Sequence, residues 1–364
     1  MSLAPADRVY LERTYALARR ALGNISPNPP VGAVVVADGR IVGEGYHHRA
    51  GEAHAEVLAL AAAGERARGA VLYVSLEPCN HHGRTPPCTH ALAQADITRV
   101  VAGTRDPDPR TAGAGFAYLR EHGVAAQDAH DPQARDLIAP FARAIQSQRP
   151  FVTLKMAMSL DGFAAAGPGV QTWLTGEEAR AFVRELRIEH DAAGIGAGTV
   201  QADDPQLTVR PARRRAVPYA RVVFCGTEPP QRDRRIFAEQ PGYAKTIVLA
   251  SGANRKTVDT LGPAADVLFV GETPQLDLNL ALDALYARGI MSLLCEGGPA
   301  LAGSFLRLGL VDRLVWLIAP RFLHSPHAVP VVSGGTLAET RGLRVTSVER
   351  LGGDMMMTGM FERV

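Results

Sequence analysis

Across residues 7–22, charged positions at Asp7, Arg8, Glu12, Arg13, Arg19 and Arg20 interleave with apolar ones at helical spacing, which predicts an amphipathic helix. The runs 31–37 and 40–46 flank Asp38-Gly39 and predict a hairpin. Beyond them the pattern predicts a helix over 53–63, a strand over 70–76, a helix over 89–95, a strand over 99–103, and helices over 115–122 and 133–148. Strands alternating with helices that cover both faces make an α/β/α sandwich. The chain then runs through Gln148-Arg149-Pro150 into a strand over 151–157, and a second alternation of strands and helices continues to Val364. Two domains are expected, 1–149 and 150–364. In the second, Thr175-Gly176-Glu177-Glu178 reads as a capping box, opening a helix that buries Ala179, Phe182, Val183 and Leu186.

A length of 364 residues suits two such domains, each with its own core. A net charge of +2, with 21% charged residues, gives no electrostatic ground for nucleic acid or membrane and leaves a small substrate as the simpler expectation. The charged N-terminal helix is neither a signal peptide nor a membrane span, so a cytosolic protein is expected. Four cysteines make no disulfide framework at this length. Cys225 and Cys295 lie in strand-like runs and are expected to be reduced thiols.

The chemistry concentrates at His54-Ala55-Glu56, followed across a strand by Glu77-Pro78-Cys79 and then Cys88. Nucleobase deaminases hold zinc with one His and two Cys, and a Glu two residues after the His moves protons without binding the metal. With a helix beginning near Ala53, His54 falls in its first turn and Glu56 projects roughly 200° round the axis, off the metal. Two thiolates and one imidazole leave a fourth tetrahedral position open to water, the mark of a catalytic zinc. The plain alternative is a helix-capping His beside ordinary buried thiols. Eight residues, Asn80 to Pro87, separate Cys79 from Cys88 where the usual signature has two, so from spacing alone His81, His82 and His90 compete for the third ligand place. Their polar, turn-forming composition reads as a loop over the metal.

The second half says less by itself. Gly194-Ile195-Gly196-Ala197-Gly198-Thr199 approaches a dinucleotide fingerprint, but Thr199 stands where the third glycine belongs. Glu296-Gly297-Gly298-Pro299 joins an apolar strand, 292–295, to a helical run, 301–308. It reads equally as a tight turn or as a phosphate cradle at a helix start.

His-Ala-Glu with Glu-Pro-Cys-x-His-His-Gly-Arg-Thr-Pro-Pro-Cys resembles the bifunctional deaminase/reductase family of riboflavin biosynthesis, and Pro27-Asn28-Pro29-Pro30-Val31-Gly32 and Gly43-Glu44-Gly45-Tyr46-His47 fit the same family. The likeness continues in order through Thr153-Leu154-Lys155, Ser159-Leu160-Asp161-Gly162, Thr172-Trp173-Leu174-Thr175, Ala202 to Thr208 and Glu296 to Pro299. It implies a cytidine-deaminase-like α/β/α sandwich followed by a dihydrofolate-reductase-like α/β domain that binds NADPH without a Rossmann fingerprint. It implies zinc on His54, Cys79 and Cys88, with Glu56 as proton carrier. Asn28, His47 and Arg84 would line the pyrimidine and ribose-phosphate pocket. In the second domain Lys155 would be catalytic, and Gln171, Arg187, Leu207, Arg210 and Glu296 would hold substrate. Ala157, Trp173, Thr199, Asp203, Gly226 and the turn Gly298, Pro299, Ala300, Leu301, Ala302, Gly303 and Ser304 would hold the cofactor. The chain departs from the family pattern with Ser26 before the Pro-Asn-Pro run, with Gln171 in place of a Ser, and with Cys225-Gly226 in place of Asp-Ser or Asp-Thr. Expected partners are phosphorylated pyrimidines and, through the reductase half, further copies of the chain. The competing reading is a nucleoside or nucleobase deaminase with an unrelated C-terminal binding domain.

Overall fold

The computed structural model describes residues 3–83, 85–210, 215, 218–335 and 342–361. The chain divides into two compact units, Met1–Gln148 and Arg149–Val364.

In the first unit β1 (Gly32–Ala37) pairs antiparallel with β2 (Arg40–Tyr46) and with β3 (Val71–Val74); β4 (Arg99–Ala102) and β5 (Ala125–Asp128) extend the sheet in parallel. The helices are α1 (Pro5–Arg19), α2 (Ala55–Ala63), α3 (Cys88–Gln94), α4 (Ala114–Glu121), α5 (Pro132–Leu137) and α6 (Ala139–Ser147). Strand side chains alternate between faces. Ala33, Val35, Leu72, Val74 and Val100 therefore join Ala59 of α2, Leu92 of α3 and Phe116 of α4, while Val34, Tyr73 and Val101 join Leu11 and Tyr15 of α1 and Ala134 of α5. The result is the expected sandwich. Glycines let the helices come close: a Cβ on Gly43 would stand 2.2 Å from the Ala59 carbonyl oxygen, and one on Gly45 would stand 2.6 Å from that of Ala55.

Two local expectations in this unit are corrected, and one strand went unforeseen. The helix foreseen from Ala53 starts at Ala55, with His54 at its N-cap in extended backbone, φ −73° and ψ 161°. The helix foreseen over 133–148 breaks at Ile138 (φ −93°, ψ 3°), because Pro140 brings no N–H and its ring excludes the carbonyl four residues back. Strand β5 was not foreseen; it is a half-exposed edge, and Ala-Ala-Gln-Asp carries no alternation of apolar and polar positions.

The second unit is built on β6 (Phe151–Ser159), β7 (Phe163–Ala165), α7 (Glu177–Glu189), β8 (Ala192–Gly196), α8 (Ala197–Asp203), β9 (Ala220–Phe224), β10 (Thr246–Ala250), α9 (Arg255–Val258) and β11 (Ala265–Phe269). It continues with α10 (Leu278–Ala287), β12 (Ser292–Gly297), α11 (Pro299–Arg307), β13 (Arg313–Ala319), β14 (Val329–Pro330), β15 (Leu343–Leu351) and β16 (Asp354–Phe361). Its main sheet runs β11-β10-β9-β8-β12-β6-β13-β16-β15, parallel as far as β13 and antiparallel beyond. Ala179, Val183 and Leu186 of α7 pack on one face with Leu294. Leu282 of α10 and Phe305 of α11 pack on the other with Val152 and Leu154.

The capping box at Thr175 is not formed. Gly176 is the N-cap of α7, and its N–H is taken at 2.7 Å by the Asp354 carboxylate from the start of β16. Glu177 instead pairs with Arg180 and Arg184 on the helix surface.

Candidate active sites

The N-cap of α2, the segment after β3 and the start of α3 bring His54, Cys79 and Cys88 together, with one ligand atom of each within 4.8 Å of the others. Extended backbone at the N-cap turns the His54 ring so that Nδ1 lies 3.2 Å from Cys88 Sγ and 3.5 Å from Cys79 Sγ. The other ring nitrogen, Nε2, lies 3.4 Å from the Thr85 hydroxyl. Cys88 opens α3, and the 80–87 loop closes because the Thr89 N–H reaches the Cys79 carbonyl (3.3 Å) while the Cys88 N–H reaches Cys79 Sγ (3.4 Å). A hydrogen bond from Cys88 holds the Cys79 thiol below the ordinary thiol range, and the bond to Cys79, with burial, holds Cys88 above it.

Glu56, in the first turn of α2, is 3% exposed. Burial pushes its carboxyl up to about 7; the charge on Cys79 adds to this, and His54 and a Cys88 hydrogen bond oppose it. A cavity of about 380 Å³ opens on this group, lined among others by Asn28, His47, Glu52, His81, Thr85 and Phe141. That volume suits a small organic ligand. His47 is fixed from both sides: its Nδ1 donates to the Ala53 carbonyl (3.1 Å), so Nε2 accepts from Asn28 Nδ2 (2.9 Å). Asn28 thus keeps its carbonyl oxygen as an acceptor. Arg84 lies outside the described residues.

Asp106, Asp108 and Thr111 also line the cavity, and sequence reasoning missed them. They come from a Pro- and Asp-rich loop after β4 with no motif of its own. The only signal was Glu77, two residues before Cys79 and likewise passed over as a functional residue. It is buried, and its carboxylate accepts the N–H groups of Asp106 (3.1 Å), Gly113 (3.0 Å), Gly115 (3.0 Å) and Phe116 (3.2 Å).

In the second unit the parallel register sets Cys295 beside Leu154, so Glu296 on β12 and Lys155 on β6 follow side by side and share a face with α7. Arg187 from α7 binds Glu296 with two parallel bonds, Nε to Oε1 at 2.5 Å and Nη2 to Oε2 at 2.9 Å, and its Nη1 donates to the Thr208 carbonyl at 3.1 Å. Burial works to raise the Glu296 pKa, but Arg187 overrides it and holds the carboxyl below the usual carboxylate value. Burial pulls Lys155 below the ordinary lysine value, with the Glu296 charge opposing.

Around this cluster, Leu207 is buried with φ 49°, and exposed Arg210 bonds the Thr208 hydroxyl (3.0 Å) and the Gln206 side chain. Ala157 is two residues beyond Lys155 on the same face of β6. Thr199 on α8 donates to the Gly297 carbonyl at 3.3 Å. Gly297 and Gly298 have φ of 78° and 91°, and a Cβ on Gly298 would stand 2.5 Å from Thr199 Oγ1, so only glycine fits there. Pro299 then opens α11, on which Ala302 and Gly303 are buried, Leu301 and Ser304 half-buried and Ala300 exposed. Asp203 ends α8, half-buried, with its carboxyl raised by burial. Trp173 is 66% exposed under the Arg180 guanidinium, 5.6 Å from its ring centroid. Gln171 and Gly226 are exposed. Cys225 and Cys295 are free buried thiols, pushed up by burial to about 11 and about 12.

Residues 5–104 match the cytidine and deoxycytidylate deaminase zinc-binding region, and residues 150–357 match the RibD C-terminal domain. The molecule is thus of a two-part class, a zinc-binding deaminase joined to a reductase, and the unrelated C-terminal binding domain is set aside. The riboflavin biosynthesis protein RibD of Aquifex aeolicus (strain VF5) is 39% identical over 352 residues, covering 96% of this chain and 97% of that one. RibD of Escherichia coli (strain K12) is 41% identical over 335 residues, covering 88% and 89%. A solved structure from Thermotoga maritima, a diaminohydroxyphosphoribosylaminopyrimidine deaminase/5-amino-6-(5-phosphoribosylamino)uracil reductase, is 32% identical with a TM-score of 0.84 and covers 98% of this chain and 99% of that one. The chain belongs to the RibD family of bifunctional riboflavin biosynthesis proteins.

Proposed function

We propose that residues 1–149 deaminate 2,5-diamino-6-ribosylamino-4-pyrimidinone 5′-phosphate and that residues 150–364 then reduce its ribosyl chain to ribityl with NADPH. The observation that carries this reading is the His54-Cys79-Cys88 cluster with buried Glu56 beside it, in a chain that matches the RibD family over both halves. The donor set suits zinc: one imidazole nitrogen and two sulfurs within 4.8 Å, three protein ligands with a fourth position left over. When bound, the metal supplies Lewis acidity and lowers the pKa of water at its open position. Glu56 would hold and move the proton, passing it to the amino group that leaves as ammonia, while Asn28, oriented by His47, offers its carbonyl oxygen to the pyrimidine. Arg84 completes the phosphate side of the pocket in this reading.

The second unit suits NADPH through the turn from Gly298 to Ser304: two glycines in left-handed backbone bring the chain into the first turn of α11, whose N–H groups lack intrahelical partners and favour phosphate. Thr199, Asp203, Ala157, Trp173 and Gly226 would hold the rest of the cofactor. When bound, NADPH supplies the hydride. Lys155 is the catalytic group, its ammonium steadied by Glu296 and hydrogen-bonding the sugar oxygens. Arg187, Gln171 and Leu207 shape the substrate site, and Arg210 binds the phosphate as a bidentate fork.

We place the protein in the cytoplasm, acting on small phosphorylated pyrimidines rather than nucleic acid. No helix among the described residues is long and apolar enough to cross a membrane. Exposed Val345, Val348 and Met355 on β15 and β16 supply apolar surface for a homo-oligomer through the second unit. The test is incubation of the zinc-loaded protein with the pyrimidinone phosphate, with and without NADPH. Ammonia release in both cases, and NADPH consumption only after it, is the expected result; a protein that releases no ammonia refutes the reading.

A further inference from the structure

Glu77 sits between two parts of the first site. It is two residues before Cys79, and its carboxylate takes four backbone N–H groups from the 106–116 segment, two on each oxygen: Gly115 and Phe116 on Oε1, Asp106 and Gly113 on Oε2. These donors bracket the cavity loop, from Asp106 near its start to Gly113 at its end and the first turn of α4. The approach is close, since a Cβ on Gly115 would stand 2.1 Å from the Pro78 carbonyl oxygen and 3.2 Å from Glu77 Cγ. The loop held this way carries Asp106, Asp108 and Thr111 to the cavity wall. Of these, Asp108 is occupied by Arg110, at 2.5 Å, and Asp106 accepts the Asp108 N–H at 2.9 Å.

We propose that Glu77 is a positioning residue for deamination, whose four-bond carboxylate sets the loop that presents Asp106 to the substrate at a fixed distance from the metal ligands. The inference rests on the deaminase reading above. No other side chain of this shape does the same work. An amide keeps the volume of Glu77 but turns one oxygen into a donor, so two of the four N–H groups lose their acceptor whichever way it sits. The loop then loosens while the ligands, tied to each other and to α2, stay put.

The experiment is steady-state deamination by Glu77→Gln in the full zinc-loaded chain, with Asp106→Ala and the double variant alongside. Turnover of the pyrimidinone phosphate by the parent tests the deaminase reading by itself, before any variant is compared. Glu77→Gln is expected to keep full zinc and a kcat within about threefold of the parent while KM rises about 10- to 100-fold, the effect of leaving buried donors unpaired. In the Asp106→Ala background the same change should move KM by no more than about twofold, because two residues acting through one contact are not additive. A Glu77→Gln protein that fails to fold or loses zinc overturns the proposal, since the carboxylate is then a folding element. A fall in kcat with KM unchanged, or a KM effect that persists undiminished without the Asp106 side chain, overturns it as well.

Discussion

Glu56 illustrates what a single residue can carry. A carboxylate that is 3% exposed, with its pKa pushed up to about 7 by burial, lowers the stability of the fold at neutral pH, a cost characteristic of groups kept for chemistry. Replacing it by Gln keeps its size and removes its proton. Glu56→Gln is expected to retain zinc and to lose deamination by about 10²- to 10⁴-fold in kcat, with the larger loss favoured because one group serves more than one transfer. Ammonia release and metal analysis on the same preparation check it; activity within a few-fold of the parent assigns the proton to another group. Cys88 gives the complementary case. His81, His82 and His90 stood as rivals on spacing, and the described geometry gathers Cys88 with His54 and Cys79 instead. Cys88→Ser should therefore lose zinc and deamination together, and a full metal complement in that variant would hand the third ligand place to one of those histidines.

At the scale of elements, what could be read from the sequence followed the strength of local patterning. Helices with a full apolar face and the hairpin at Asp38-Gly39 were legible, and so was the cluster of His54, Cys79 and Cys88, which sits in dense motifs. Three things were not. Pro140 broke a helix whose apolar periodicity ran straight through it, edge strand β5 has no alternation to show, and the apparent capping box at Thr175 lost to Asp354, which is distant in sequence and adjacent in space. The cavity wall at Asp106 to Thr111 was invisible for a related reason: its local turns carry no motif, and the bonds that tie its ends run to Glu77, distant in sequence. Glycines in β2 make an element-scale prediction. Gly43→Ala would drive a methyl to 2.2 Å from the Ala59 carbonyl oxygen and push α2, with His54 and Glu56, off the sheet. A loss of about 1–3 kcal/mol in the first unit is expected from such overpacking, read from urea unfolding, together with weaker zinc retention.

For the whole molecule, two compact units with separate cores imply that a change in one site spares the other. Lys155→Ala is expected to abolish reduction of the deaminated intermediate, leaving zinc content and ammonia release at parent levels; parallel loss of both activities would show that the units are not independent machines. If Lys155 were instead an ordinary surface ion pair, its removal would cost only about 0–1 kcal/mol and leave reduction intact. The register of β6 against β12 carries a consequence of its own. Lys155 and Glu296 meet because the register sets odd positions of β6 on the same face as even positions of β12. The site is therefore protected by an arithmetic rule: losing one residue between Phe151 and Leu154 would turn the ammonium to the opposite face among Val152 and Leu154, whereas losing two would return it to its side. In natural drift of this strand, length changes should survive in pairs or not at all.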